Sequence, residues 1–389
     1  VNELGFLRSG CRPNQDISAI ARQYDRVALV LQGGGALGAY QVGVYQALSE
    51  AGCEPNWISG VSIGAINSAI IAGNPPERRL RNLETFWETI SGRKIWAYTP
   101  EGDPWRDLRN RTSSFLTLLM GQPGFFKPRF PNPWWQLPGS DGATSFYESE
   151  DLRSTLEGLV DFDMLNNGRK RLSVGAVNVR TGNFVYFDTE KQRIGPEHIM
   201  ASGALPPALP PVKIEGEHYW DGGIVSNTPL QYLLEQDENL SSLVFQVDLF
   251  SARGSLPRDM SDVLTRHKEI VYSSRTRQNT DVFARTHNMK MRLLDALRRL
   301  PPEALTPDEL EFMAEHSKSS VINIIQLIYQ HKGYEGHARD YEFSGTSMRD
   351  HWESGFEDTM RTLRHPKWLE RSNVTRVVTL HDLHREDPT

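Results

Sequence analysis

The chain has 389 residues, 38% of them hydrophobic and 24% charged, which suits a large globular α/β domain with an extension and excludes a disordered polymer. A formal net charge of -6 at pH 7 speaks against nucleic acid as a partner. Cys11 and Cys53 have neither metal-ligand spacing nor a disulfide framework, no apolar run is long enough to span a bilayer, and the first residues lack a signal-peptide core, so a cytoplasmic protein is expected.

Residues 1–25 are polar and of mixed charge, and read as an N-terminal arm. Residues 27–31 (VALVL) form a short apolar, β-branched run that suits a buried strand. The run breaks at Gly33-Gly34-Gly35, after which 36–50 carries Leu37, Tyr40, Val44 and Leu48 at helical spacing. A second strand, 57–59, runs into Gly60-Val61-Ser62-Ile63-Gly64, and a helix follows through Ile66, Ile70 and Ile71. Serine on a tight strand-to-helix turn needs small neighbours, which Gly60 and Gly64 supply, and it then meets the positive end of the helix behind it. Gly33, Gly34 and Gly35 can take positive φ and aim consecutive N–H groups into one concavity, an oxyanion site. Gly33, Gly35 and Gly38 also match the dinucleotide fingerprint. That reading needs an acidic residue at the end of the second strand, where this chain has Ser59-Gly60.

Asn74-Pro75-Pro76 closes this unit, and 77–90 is an amphipathic helix with Leu80, Leu83, Phe86, Trp87 and Ile90 on its buried side. Residues 94–147 then form a long, weakly periodic segment rich in aromatics, among them Trp96, Tyr98, Trp105, Phe115, Phe125, Phe130, Trp134 and Trp135. Such a segment fits an insertion that lines an acyl pocket, a lid touching a membrane interface, or a satellite core packed on the sheet. A helix is expected over 149–159, and a hairpin over 171–188 turning at Arg180-Thr181-Gly182. The proline-rich run 201–212 imposes a stiff path and leads to a strand end at Tyr219-Trp220, with Asp221 at a turn before Gly222 and Gly223. Asp-Gly-Gly alone is an ordinary β-turn. A serine nucleophile, however, needs a base beside it, and open α/β sheets place site residues at strand ends.

The glycine run with Gly38, the Gly60–Gly64 motif, the proline run, and Asp221-Gly222-Gly223 with Asn227 and Pro229 resemble the patatin-like phospholipase family, in family order over roughly 26–250. The segment 341–349 (YEFSGTSMR) is similar to the additional C-terminal region of bacterial members. The resemblance implies a three-layer α/β/α fold with a mostly parallel central sheet. It implies Ser62 as nucleophile and Asp221 as base of a dyad without histidine, and Gly33, Gly34 and Gly35 as the oxyanion hole, with Gly34 and Gly35 the favoured donors. Gly38, Gly60, Gly64, Gly222 and Gly223 support the motifs. The chain departs from the family at Leu37, where many members carry Arg or Lys, and at Gln32, where they carry Asp. A cation there would favour anionic substrates. His267, His287, His316, His331 and His351 all follow Asp221, so order alone leaves a Ser–Asp–His triad open.

Residues 242–250 (SLVFQVDLF) read as a buried strand, and 253–299 as helical with eleven Lys/Arg against five Asp/Glu. Further elements are expected as a helix from Pro307, a strand at 320–329, a helix at 348–363 and a strand-like tail at 374–383. The expected organisation is an arm over 1–25, a catalytic domain over 26–250 with its aromatic insertion, and a mainly helical extension over 251–389 packed on it. The expected function is a serine acyl-hydrolase of lipid esters that needs no metal or cofactor, takes a lipid or other ester as substrate, leaves room for peripheral contact with membrane lipid, and binds no nucleic acid. An acyltransferase using the same dyad, or a non-catalytic lipid-binding protein, are the alternatives.

Overall fold

The structure, a computed structural model, describes residues 17–91, 112–113, 117, 120–236, 240–315, 321–332, 335, 339–371 and 378–382, with backbone alone at 274–281 and 302. Cys11, most of the arm, Trp96, Tyr98, Trp105, Phe115 and His316 lie outside the described residues. In chain order the strands are β1 (Arg26–Leu31), β2 (Trp57–Gly60), β3 (Lys127–Pro128), β4 (Tyr147–Glu148), β5 (Arg171–Asn178), β6 (Phe184–Asp188), β7 (Val212–Ile214), β8 (Glu217–Asp221), β9 (Ser242–Asp248), β10 (Ile322–Ile328) and β11 (Val378–Asp382). The helices used below are α1 (Ala39–Glu50), α2 (Ile63–Ala72), α3 (Pro76–Ser91), α4 (Met260–Leu297) and α5 (Gly345–Thr362).

Nine strands form one sheet in the order β11-β10-β9-β1-β2-β5-β8-β7, with β6 also on β5. Pairing is parallel from β11 through to β5, and antiparallel among β5, β6, β7 and β8. The mixed α/β fold with a mostly parallel central sheet is therefore as expected. Both faces of the sheet are covered. Leu29 and Leu31 of β1 belong to one core with α1 and α2, while Ala28 and Val30 face a second core with Leu230, Leu233 and Val244. That is why β1 is buried throughout and reads as a continuous apolar run.

The register of β5 sets two other strand ends against each other. Ser173 pairs with Ser59 of β2 and with Asp188 of β6, so these two strands lie on opposite edges of β5. Ala176 pairs with Val185 of β6 and Asp221 of β8, which puts β8 on the same edge as β2. β2 runs parallel to β5 and ends at Gly60 opposite Val174, while β8 runs antiparallel and ends at Asp221 opposite Ala176. Two strand ends thus meet head to head on one edge.

The strands expected at 320–329 and 374–383 join the central sheet as β10 beside β9 and β11 beside β10, so the sheet runs continuously past residue 250. Helix α1 is buried on both sides, because α5 crosses it at backbone contact. A Cβ on Gly43 would stand 1.9 Å from the Trp352 carbonyl oxygen, and one on Gly355 would stand 2.0 Å from that of Tyr40. Only glycine on each helix permits that approach. Among the described residues, no helix is long and apolar enough to cross a membrane.

Candidate active site

Ser62 stands between β2 and α2 with φ 56° and ψ -125°, a left-handed conformation unusual for a residue with a Cβ. Holding it costs about 1–3 kcal/mol, so the surroundings must impose it. They do so through two glycines and one hydroxyl. A Cβ on Gly60 would stand 2.3 Å from the Gly64 carbonyl oxygen, and one on Gly64 would stand 2.3 Å from that of Leu31, so the turn closes only with glycine at these positions. The Ser62 N–H donates to Ser202 Oγ at 2.9 Å, and the buried Ser202 hydroxyl donates in turn to the Gly175 carbonyl at 2.6 Å. Replacing Ser202 by Ala would orphan both backbone groups. The expected outcome is a loss of about 1–3 kcal/mol in denaturant unfolding, with lowered turnover of any reaction at Ser62, because the Ser62 turn loses its anchor.

Asp221 closes β8, and its backbone N–H is held by the Ala204 carbonyl at 3.0 Å. Its side chain is buried, accepts the Gly223 N–H at 2.7 Å, and shares the cleft with the Ser62 hydroxyl, whose influence lowers the carboxyl's pKa. Burial pushes the carboxyl up to about 6, while the Ser62 hydroxyl and the Gly223 N–H pull it down. A carboxylate in this state ionises at neutral pH yet retains appreciable basicity.

The glycine loop crosses directly above. The Gly33 N–H donates to the Asn227 carbonyl at 3.2 Å, and Asn227 Nδ2 donates to the Gly33 carbonyl at 2.9 Å. Gly33 is thereby clamped to the Asp221 loop, and its N–H is already engaged. Of the three glycines only Gly35 takes a positive φ, +55°; Gly34 is extended at 171°. Gly34 and Gly35 line the cleft beside Ser62, and a Cβ on Gly35 would stand 2.2 Å from the Asp340 carbonyl oxygen. Gly38 rests against Ile63, and Gly222 against the Gly175 carbonyl, both too closely for a side chain. The structure therefore brings Ser62, Asp221, Gly33, Gly34, Gly35 and Gly223 to one cleft, while Gly38, Gly60, Gly64 and Gly222 act as packing glycines behind it.

The cleft encloses about 880 Å³ counted out to its open mouth. Away from the polar end its walls are apolar, built from Phe126, Tyr147, Leu209, Phe250, Tyr341 and Phe343. The aromatic stretch of the sequence supplies the first wall, with Phe125 and Phe126 buried as well as lining the cleft. No sequence signal pointed to Asp340, Tyr341 and Phe343 as a wall, because they come from the far end of the chain. Ser202 and Asn227 stood within recognised motifs, but their tasks depend on partners 140 and 194 residues away.

Leu37 is fully buried in the core and does not line the cleft. Gln32 accepts the Leu249 and Phe250 N–H groups at 2.5 and 3.1 Å and donates to Thr228 Oγ1 at 3.0 Å and to the Tyr272 carbonyl at 3.1 Å. A carboxylate could make only the accepting half of that set. Among the described residues no histidine lines the cleft. His351 is instead buried against Glu335, with Nε2 3.0 Å from Oε1, and that contact holds the Glu335 carboxyl down at about 2 against the pull of burial.

The chain matches the family described as Patatin-like phospholipase over residues 29–234, and a second described as Patatin phospholipase over 270–375. It is 27% identical over 316 residues to Lysophospholipase NTE1 of Cryptococcus neoformans var. neoformans serotype D, a match covering 76% of this chain and 16% of that protein. It is 40% identical over 76 residues to patatin-like phospholipase domain-containing protein 7 of Rattus norvegicus, covering 19% of this chain and 6% of that one. The chain thus spans a small part of the length of these relatives. Among solved structures it is similar to human GIVD cytosolic phospholipase A2, at TM-score 0.44 and 13% identity over 92% of this chain and 63% of that one. It is also similar to VipD from Legionella pneumophila, at 0.41 and 15% over 93% and 72%. Since the first family match alone takes in more than half of the 389 residues, this chain belongs to the patatin-like phospholipase family.

Proposed function

We propose that the protein is a serine acyl-hydrolase that cleaves lipid esters through Ser62 and Asp221. The observation that carries the reading is a serine on a strained strand-to-helix turn and a buried carboxyl lining the same polar end of an otherwise apolar cleft. Ser62 Oγ attacks the ester carbonyl as its proton passes to Asp221. The tetrahedral oxyanion is held by the N–H groups of Gly34 and Gly35, while Gly33 shapes the loop. Collapse breaks the C–O bond to the alcohol, which leaves with the proton from Asp221. Water then attacks the acyl-enzyme, gives its proton to Asp221, and the fatty acid departs as Ser62 Oγ regains a proton. Neither a metal nor a cofactor enters this sequence of steps. A cytoplasmic location with peripheral contact to membrane lipid belongs to the same proposal.

The test is hydrolysis of short and long p-nitrophenyl esters in the presence of EDTA, together with labelling by a serine-directed fluorophosphonate. Turnover that persists in EDTA and one adduct per chain, on Ser62, support the proposal. Labelling elsewhere, or no turnover on any ester, rejects it. The base must be ionised, so kcat/KM is expected to fall about tenfold per pH unit below about 6 and to level off above it. A flat profile between pH 5 and 8 would remove Asp221 as the base.

A further inference from the structure

The segment between β3 and β4 is built inside out. Phe130, Trp134, Trp135 and Leu137 are 95%, 82%, 81% and 81% exposed, while the polar side chains around them turn back onto the backbone. Asn132 Oδ1 accepts the Trp134 N–H at 3.2 Å, Gln136 Nε2 donates to the Pro131 carbonyl at 2.8 Å, and Ser140 Oγ donates to the Leu137 carbonyl at 2.8 Å. Pro131, Pro133 and Pro138 restrict the backbone further. Water selects the opposite arrangement, so this internally bonded frame holds two tryptophans, a phenylalanine and a leucine outward.

The base of the segment is a wall of the active-site cleft. β3 pairs with β4 at Lys127–Glu148 and Pro128–Tyr147; Phe126, just before β3, and Tyr147 both line the cleft. The N–H groups of Phe146 and Tyr147 donate to the carbonyls of Pro207 and Ala208, which ties the same base to the proline-rich loop below. The apolar tip is therefore joined through the β3–β4 pair to residues that wall the cleft holding Ser62. Charge does not explain the patch. Residues 127–148 contain Lys127 and Arg129 against Asp141 and Glu148, and Lys127 is already paired with Asp151 at 2.8 Å.

We infer that Phe130, Trp134, Trp135 and Leu137 form a lipid-surface anchor that seats the mouth of the cleft on a bilayer by insertion of aromatic side chains. Tryptophan and phenylalanine suit the boundary between headgroups and acyl chains, where an apolar body and the indole N–H are both accommodated. A neutral segment of this kind binds zwitterionic lipid and responds little to salt. The inference rests on the acyl-hydrolase reading for the reason a lipid surface belongs at this mouth, but its test does not use that activity.

Binding is measured by co-sedimentation with phosphatidylcholine vesicles at low and high salt, in the Ser62→Ala background so that no lipid is consumed. The expected results are binding that survives high salt, a loss of about tenfold or more on Trp134→Ser/Trp135→Ser, and retention on Trp134→Phe/Trp135→Phe. In the Ser62 background the serine pair should hydrolyse a soluble short ester as fast as the parent, since neither tryptophan lines the cleft. Unchanged vesicle affinity in the serine pair, or no binding by the parent, overturns the inference. So does a parent that sediments as a dimer and becomes monomeric in the serine pair, which would make a second copy the occupant. Absence of soluble-ester turnover would instead strike the hydrolase reading and leave the vesicle result intact.

Discussion

Ser62→Ala is expected to lower kcat/KM on short and long esters by about 10⁴-fold or more and to abolish fluorophosphonate labelling. In the proposed acyl-enzyme route Ser62 is the nucleophile, and Asp221 is buried rather than in open contact with water. What remains should be the modest effect of binding the ester beside the glycine N–H groups. The fold should survive. Alanine tolerates φ 56° no worse than serine does, and the Gly60 and Gly64 contacts and the Ser202 anchor act on the backbone. The stability cost is the loss of a hydroxyl that favours the ionised Asp221 carboxylate, about 1–2 kcal/mol above pH 6. Retained hydrolysis in the variant would place the nucleophile elsewhere in the chain.

Asp221→Asn should separate activity from stability. Turnover is expected to fall by about 10³–10⁴-fold, because an amide cannot take the serine proton. Stability should rise at the same time. The carboxyl ionises at about 6 in the folded protein against 3.8 as the ordinary value, so folding favours the protonated form. That penalty is fully present above about 6, declines as pH falls, and is absent below 3.8. Its upper size is on the order of 2–3 kcal/mol. The substituted amide would keep an acceptor for the Gly223 N–H without carrying a charge into the interior. Denaturant unfolding at pH 8 should therefore show the variant more stable than the parent, with the gap shrinking toward pH 4. An equal gap at both pH values would mean that the ionised carboxylate carries no burial penalty.

Much of this site is legible in a linear chain. A β-branched run, a glycine run, a strand and Gly-x-Ser-x-Gly follow one another at spacings that allow few other structures, because turn chemistry and the 2.0 and 3.6 residue periods are local properties. The strands and helices around Ser62 accordingly lie where periodicity puts them, within about three residues. Asp221 was legible at one remove: Asp-Gly-Gly is a plain turn by itself, and it gained meaning from the serine far upstream.

The tertiary structure alone decided the rest. Alternation and helical spacing report that a face is buried, but not by what. The crossing of α1 by α5 at Gly43 and Gly355, the placement of β10 beside β9, and the wall built from Tyr341 and Phe343 all join segments about 80 to 310 residues apart. The Ser202 hydroxyl and the Asn227 amide are ordinary polar groups until the register of β5 sets β2 and β8 end to end on one edge. The sequence by itself determined which residues could do this chemistry, because residue type and local turn geometry are properties of short segments. Only the tertiary structure decided which of them meet, because strand register and helix crossing depend on packing across the whole chain.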